Sequence, residues 1–377
     1  MRIGILTLPL HTNYGGILQA YALQTVLERM GHEVVVFNRD GMPSLPPYYK
    51  RPICYSLRLL KKILLKPNTI VRWEHIIRKE YPVVTQYTQR FINKYIHCCM
   101  INDIQEISKV KVDAIVVGSD QIWRPRYFAE MWHTESCNSF LVFTKQWNIR
   151  RYAYAASFGV DEWEYPQNMI DVLKSAAQQF DAISVREESG VDLCRNYLNV
   201  SASHVLDPTM LLEKEDYIQL IKKSNQPQSA GNLFCYILDK TPEKSNLIDA
   251  ISYEKKLTPF YVKAEGLGKT SSISERIHKP VEAWIRGFYD AEFIITDSFH
   301  ACVFSILFRK PFIVVGNKGR GFARFQSLLK MFSLERNLIT SASEYNPVMD
   351  YSVPETTNDI LDKLRNGSMS FLSQIKG

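Results

Sequence analysis

Five short stretches carry residue types and spacings able to bind an anion or move a proton. The richest is Ile295-Thr296-Asp297-Ser298-Phe299-His300, where an apolar run ends in two helix-capping residues and a histidine follows. A histidine in a first helical turn can act as a general acid, or meet a phosphate beside free backbone N–H groups. The plainer alternative is a structural histidine. The second stretch, Val315-Gly316-Asn317-Lys318-Gly319-Arg320-Gly321 with Arg324 beyond, gathers three cations and three glycines after another apolar run. It suits phosphate, or else a solvated loop. In Ser184-Val185-Arg186-Glu187-Glu188, the Arg186 guanidinium can fork onto a carboxylate or phosphate, or pair with Glu187 or Glu188. Val117-Gly118-Ser119-Asp120-Gln121-Ile122-Trp123 offers a carboxylate, an amide and an aromatic platform of the kind sugars use; a capped helix with Trp123 in the core fits equally. Finally, His11-Thr12-Asn13-Tyr14-Gly15-Gly16 puts two glycines at a helix start, allowing a ligand to approach closely, or simply making a tight turn capped by Asn13 or Tyr14.

All five follow predicted strands and open predicted helices, which is where open α/β sheets bind ligands. Arg2–Leu8, a helix over Ile17–Met30 and Glu33–Asn38 form a βαβ unit, with Gly31 as the helix stop. Further strands are expected at Val112–Val117, Arg151–Ala156, Ala182–Val185, Leu233–Leu238, Phe260–Val262, Phe293–Thr296 and Phe312–Val315. Helical patterns separate most of them, among them Val191–Leu198, Cys302–Phe308 and Phe322–Met331. The expected fold class is α/β, with two Rossmann-like domains, mostly parallel sheets and a central cleft. Residues 1–205 would form the first domain, with a basic insertion at 50–79. Residues 206–350 would form the second, and 351–377 a terminal helix able to pack back on the first.

At 377 residues the chain exceeds what one core usually holds, and 46% hydrophobic against 23% charged residues is an ordinary globular balance. No apolar run is long enough to cross a bilayer, and Met1–Leu8 reads as a buried strand rather than a signal, so a cytoplasmic protein is expected. Seven scattered cysteines show no zinc spacing, so neither a metal nor disulfides are expected, and nothing points to nucleic acid. The net charge of +7 is concentrated between Lys50 and Lys79, where nine Lys/Arg face one acid, Glu74. From Leu57 to Lys66 a helical wheel puts Leu57, Leu59, Leu60, Ile63 and Leu64 on one half. Arg58, Lys61, Lys62 and Lys66 take the other. Either the apolar half packs on the first domain, or the helix lies peripherally at the inner face of an anionic membrane.

Taken in order, these stretches resemble the polysaccharide pyruvyl transferase family. The likeness is carried by 13–24 (Asn13-Tyr14-Gly15-Gly16 onward), Gly118–Trp123, Tyr154–Gly159, Ser184–Glu187, Leu206–Thr209 and Thr296–His300. It implies a GT-B-like pair of domains, the first on the acceptor side and the second on the donor-anion side, and transfer of the enolpyruvyl part of phosphoenolpyruvate to two hydroxyls of a sugar. The product would be a cyclic pyruvate ketal in cell-surface or capsular polysaccharide. Phosphoenolpyruvate is then co-substrate, with no cofactor. Residues matching Arg186 and His300 bind it in similar enzymes, and Lys318 is matched to a functional lysine, with Arg320 its neighbour. Where the family commonly has glycine after the histidine, this chain has Ala301, small enough to allow close approach. His300 is assigned as acid and Asp120 as base; Ser298, Phe299, Asn13, Gly15, Gly16, Gln121 and Trp123 complete the expected substrate contacts. Arg186→Ala and His300→Ala are expected to abolish transfer with the fold intact. A membrane contact would suit an acceptor sugar on a polyprenyl carrier. A GT-B glycosyltransferase with a nucleotide-sugar donor is the alternative, since fold does not settle reaction.

Overall fold

Seven parallel strands build the first sheet, in the order β3-β2-β1-β4-β5-β6-β7. They are β1 (Arg2–Leu6), β2 (Glu33–Asn38), β3 (Cys98–Met100), β4 (Ala114–Val117), β5 (Arg150–Ala156), β6 (Ala182–Val185) and β7 (Ser203–His204). A second parallel sheet follows in the order β12-β11-β10-β8-β9, from β8 (Leu233–Tyr236), β9 (Pro259–Phe260), β10 (Phe293–Thr296), β11 (Phe312–Val315) and β12 (Leu338–Ile339). This computed structural model describes residues 1–43, 45–67, 69–264, 271–316 and 321–376. Central strands such as β4 (AIVV), β10 (FIIT) and β11 (FIVV) are buried at every residue, because helices cover both faces of each sheet.

With the first sheet run α1 (Tyr14–Arg29), α2 (Arg51–Leu64), α3 (Trp73–Val84), α4 (Gln86–Tyr95), α5 (Pro125–Trp132), α6 (Ile170–Ala177) and α7 (Glu188–Leu193). The second sheet is accompanied by α8 (Lys214–Ser224), α9 (Pro242–Lys255), α10 (Ile273–Arg276), α11 (Val281–Asp290), α12 (Phe299–Leu307) and α13 (Phe322–Met331). The last helix, α14 (Thr357–Leu372), returns to the first sheet: the Ser368 hydroxyl accepts from the Leu206 N–H at 3.0 Å, and Phe371 meets the Tyr154 ring. No helix among the described residues is long and apolar enough to cross a membrane. All seven cysteines are free, and no metal-binding group occurs among the described residues.

Several boundaries differ from expectation for a local reason. The strand expected to reach Leu238 stops at Tyr236, because the Leu238 and Asp239 N–H groups donate to the Asp297 carboxylate instead of a neighbouring strand. Helix α12 begins at Phe299 rather than Cys302, and all nine of its residues are buried. The pattern over Val191–Leu198 divides into α7 and a π-helical turn, Cys194–Leu198.

The two sheets share one apolar core. Ile17 and Leu18 of α1, Trp284 of α11 and Phe304 of α12 belong to a single buried cluster. Tyr14, at the head of α1, crosses between them: its hydroxyl donates to the Lys279 carbonyl at 2.9 Å, and its ring stacks on Trp284.

Candidate active site

Each sheet has one place where its strand order reverses, between β1 and β4 in the first and between β8 and β10 in the second. Ligands of open α/β sheets bind at such switch points. Here the two open onto one cavity of about 310 Å³. Thr12, Asn13 and Tyr14 follow β1, Asp120 and Gln121 follow β4, Leu238 and Asp239 follow β8, and Asp297 to His300 follow β10. Tyr127, Tyr236, Lys263, His278 and Arg324 complete the lining.

His300 lies in the first turn of α12 and is nearly enclosed. The helix start has no side-chain cap. Asp297 is committed elsewhere, accepting from Leu238 N (2.6 Å), Asp239 N (3.0 Å) and Lys244 Nζ (2.6 Å), while Ser298 occupies the cap position with its side chain unbonded to the helix. The first turn of α12 thus lines the cavity with no side-chain cap, a setting that favours an anion. The space Gly15 leaves is filled by His300 rather than by a ligand: a Cβ there would stand 2.1 Å from His300 Nδ1 and 2.6 Å from its Cβ. Because the clash reaches the root of the side chain, no rotamer relieves it. Gly15→Ala should displace His300 and lower turnover about a hundredfold, the scale of a misplacement of roughly 1 Å. Steady-state kinetics on the folded fraction measures this, and unchanged turnover would mean His300 needs no support from α1. Gly16 is less constrained, since a Cβ there would meet only the Asn13 amide, at 3.2 Å.

Beneath the cavity floor lies a buried charge cluster. Arg186 Nη1 donates to Asp207 Oδ2 at 2.8 Å and Nη2 to Asp120 Oδ1 at 3.3 Å, with the arginine side chain 1% exposed. Neither Glu187 nor Glu188 is its partner. Glu187 accepts from the Phe158 and Gly159 N–H groups, and Glu188 pairs with Lys330. Asp207 also accepts from Ser119 Oγ (3.2 Å), Thr209 N (3.0 Å) and Thr209 Oγ1 (2.7 Å). Its Oδ2 stands 3.6 Å from His300 Nε2, a nitrogen without a hydrogen-bond partner among the described residues. Burial opposes ionisation of Asp207, but His300 and Arg186 outweigh it and hold the carboxyl far below the usual range. Asp120 behaves alike: burial is outweighed by Arg186, then His300 and Arg324, and its pKa falls. Asp120 also takes a left-handed backbone, φ 65°, that re-aims its side chain at this cluster.

Arg186 and Arg324 both lie over the Phe299 ring, at 4.3 and 5.4 Å from its centre. Arg324 lines the cavity; burial and then the neighbouring Arg186 lower its pKa to about 10, still a cation at neutral pH. The expectation that Arg186 grips the donor directly is therefore corrected. Its fork is occupied by two carboxylates, and among the described residues Arg324 and Lys263 are the arginine and lysine side chains that line the cavity. Removing Arg186 would strip two buried carboxylates of their partner, so an intact fold is no longer expected.

Trp123 is likewise no sugar platform. It is fully buried, stacked on Phe140 at 4.6 Å, with Nε1 donating to the Ser139 carbonyl. Asn13, Gln121, Ser298 and Phe299 do reach the cavity. Lys318 and Arg320 lie outside the described residues. Asp207, His278, Tyr127 and Lys263 were not assigned to the site from sequence, whereas Arg324 was among the three cations read as suited to phosphate. Asp207 lies just beyond β7, in the Leu206–Thr209 stretch that carried the family resemblance but was given no role at the site.

Among solved structures, the chain is similar in course to Arabidopsis thaliana UGT89C1 complexed with quercetin (12% identity, TM-score 0.46, 98% of this chain and 94% of that one). It is also similar to Phytolacca americana apo UGT2 (12%, 0.45, 100% and 99%) and Acinetobacter baumannii MurG (11%, 0.40, 98% and 91%). Likeness at this level says nothing of the reaction. No curated protein matches the chain. The family model for polysaccharide pyruvyl transferase matches residues 13–319, a span from the Asn13 turn through the second sheet's switch point. The chain belongs to the polysaccharide pyruvyl transferase family, and is a transferase.

Proposed function

We propose that this cavity transfers the enolpyruvyl group of phosphoenolpyruvate onto two hydroxyls of a sugar, closing a cyclic pyruvate ketal during polysaccharide synthesis. One observation carries the reading: His300, Arg324 and the uncapped start of α12 converge on a single small cavity. Phosphoenolpyruvate is compact and carries two anionic groups, and those residues suit its phosphate and carboxylate.

In the reaction, a proton passes from His300 to the methylene carbon, leaving a methyl group and an oxocarbenium-like carbon. A sugar hydroxyl adds to that carbon and gives up its proton. The carbon–oxygen bond to phosphate then breaks, the second hydroxyl adds, and its proton leaves with the phosphate. Asp207, ionised and 3.6 Å away, faces the ring nitrogen of His300. For the base, His278 is better suited than Asp120. Burial, with Lys263 adding to it, lowers the His278 pKa, leaving a neutral imidazole on the same cavity. A carboxylate whose proton affinity Arg186 depresses makes a poor acceptor.

Calorimetric titration with phosphoenolpyruvate, beside a panel of nucleotide sugars, tests the donor. Phosphoenolpyruvate should bind, and inorganic phosphate should appear once a suitable glycan acceptor is supplied. Tight binding of a nucleotide sugar with no response to phosphoenolpyruvate would replace this reading with an ordinary glycosyl transfer.

A further inference from the structure

Helix α2 is mounted the wrong way round for a soluble protein. Its polar edge faces the molecule: Arg58 pairs with the buried Glu74 of α3 at 2.7 Å and donates to the Val71 carbonyl, and Tyr55 bonds His75. Its apolar edge faces outward. None of its 14 residues is buried, and Ile53, Leu57, Leu60 and Leu64 along one side are between 53% and 66% exposed. The expectation that this half packs on the first domain is not met, because Arg58 and Glu74 pin the opposite edge there. Single exposed leucines are ordinary, whereas a continuous strip of them marks a contact surface.

We propose that this strip docks on an anionic lipid bilayer. The nine Lys/Arg and one acid between residues 50 and 79 select an anionic partner, and the lysines flanking the strip, Lys61, Lys62 and Lys66, are exposed. A second copy of the chain is disfavoured, since it would bring the same uncompensated positive charge against itself. The shape also suits a plane: the strip is the convex side of one helix with cations at its edge, the form of helices that lie in a membrane interface. Tyr48 and Tyr49, exposed just before α2, are of the type that anchors at headgroup level. Helix α3 ties this surface to the catalytic cavity's surroundings. Tyr81 bonds His11 after β1, Arg276 bonds Glu80, and the His278 N–H donates to the Val84 carbonyl. Docking would hold the cavity close to the bilayer, within reach of a lipid-borne acceptor. The docking itself stands independently of which reaction the cavity performs.

Sedimentation of the full chain with vesicles tests the proposal. It should pellet with phosphatidylcholine vesicles containing phosphatidylglycerol, stay in solution with phosphatidylcholine alone, and be released by salt. Lys61→Gln, Lys62→Gln and Lys66→Gln together should weaken binding roughly a hundredfold, from about fivefold per cation. Leu57→Gln, Leu60→Gln and Leu64→Gln together should abolish it with an unchanged circular dichroism spectrum, because those side chains support nothing in the fold. Equal pelleting with neutral vesicles, none with either, or undiminished binding by the leucine variant overturns the proposal. So does a dimer that the leucine variant converts to monomer.

Discussion

His300→Ala is expected to lose about two to four orders of magnitude in turnover, the usual worth of a positioned general acid. No other titratable group in the cavity combines a place in the first turn of α12 with an ionised carboxylate 3.6 Å from its ring. The substitution should cost little stability, because Asp207 keeps Arg186, Ser119 and Thr209 as partners. His300→Gln retains a hydrogen-bond donor without the titratable ring, so it should keep much of the donor affinity while remaining slow. Phosphate release, followed beside thermal melting, measures both quantities. Turnover near that of the unaltered enzyme in either variant would remove His300 from the mechanism.

Arg186→Ala has its large effect elsewhere, on the fold. Breaking a buried ion pair from one side costs about 3–5 kcal/mol, because the remaining charge stays desolvated. Here Asp120 and Asp207 would both be left behind, close to each other. Urea denaturation at neutral pH should show that loss, and an unchanged midpoint would mean the cluster stabilises nothing. Acid provides a second signature. In the unaltered protein the two carboxyls have folded pKa values below the usual value, so their contribution is present above about pH 4 and fades as the pH falls further. In the variant, lowering the pH lets one carboxyl take a proton and relieves the repulsion. The stability gap between the two proteins should therefore narrow from pH 7 towards pH 4.

The architecture was readable because buried parallel strands announce themselves. Phe293–Thr296, Phe312–Val315 and Ala182–Val185 are short apolar runs with a chemical residue straight after them, and each is a strand with those bounds. The edge strands Cys98–Met100 and Leu338–Ile339 were missed: at three and two residues they have no period to detect. Helix α3 was hidden by an internal Pro82 and by its scattered charges. At the site, reading one junction at a time found the contributors without their pairings. Arg186, Asp120 and Asp207 come from three different strand ends, and only the packing of β4, β5, β6 and β7 side by side brings them together. Nor could residue type reveal that Trp123 would be claimed by Phe140, or that Arg324 and not Arg186 would reach the cavity.

Tyr14 has a consequence for how substrates arrive. Swinging the sheets apart would pull its hydroxyl off the Lys279 carbonyl and its ring off Trp284, and would wet the apolar residues that α1 and α12 hold in common. Each Å² of that surface resists exposure by roughly 25 cal/mol. Among the described residues these contacts bind the two sheets along their seam, which makes the cavity a standing socket rather than jaws. A donor would diffuse into a charge arrangement assembled beforehand, with the reorganisation already done during folding.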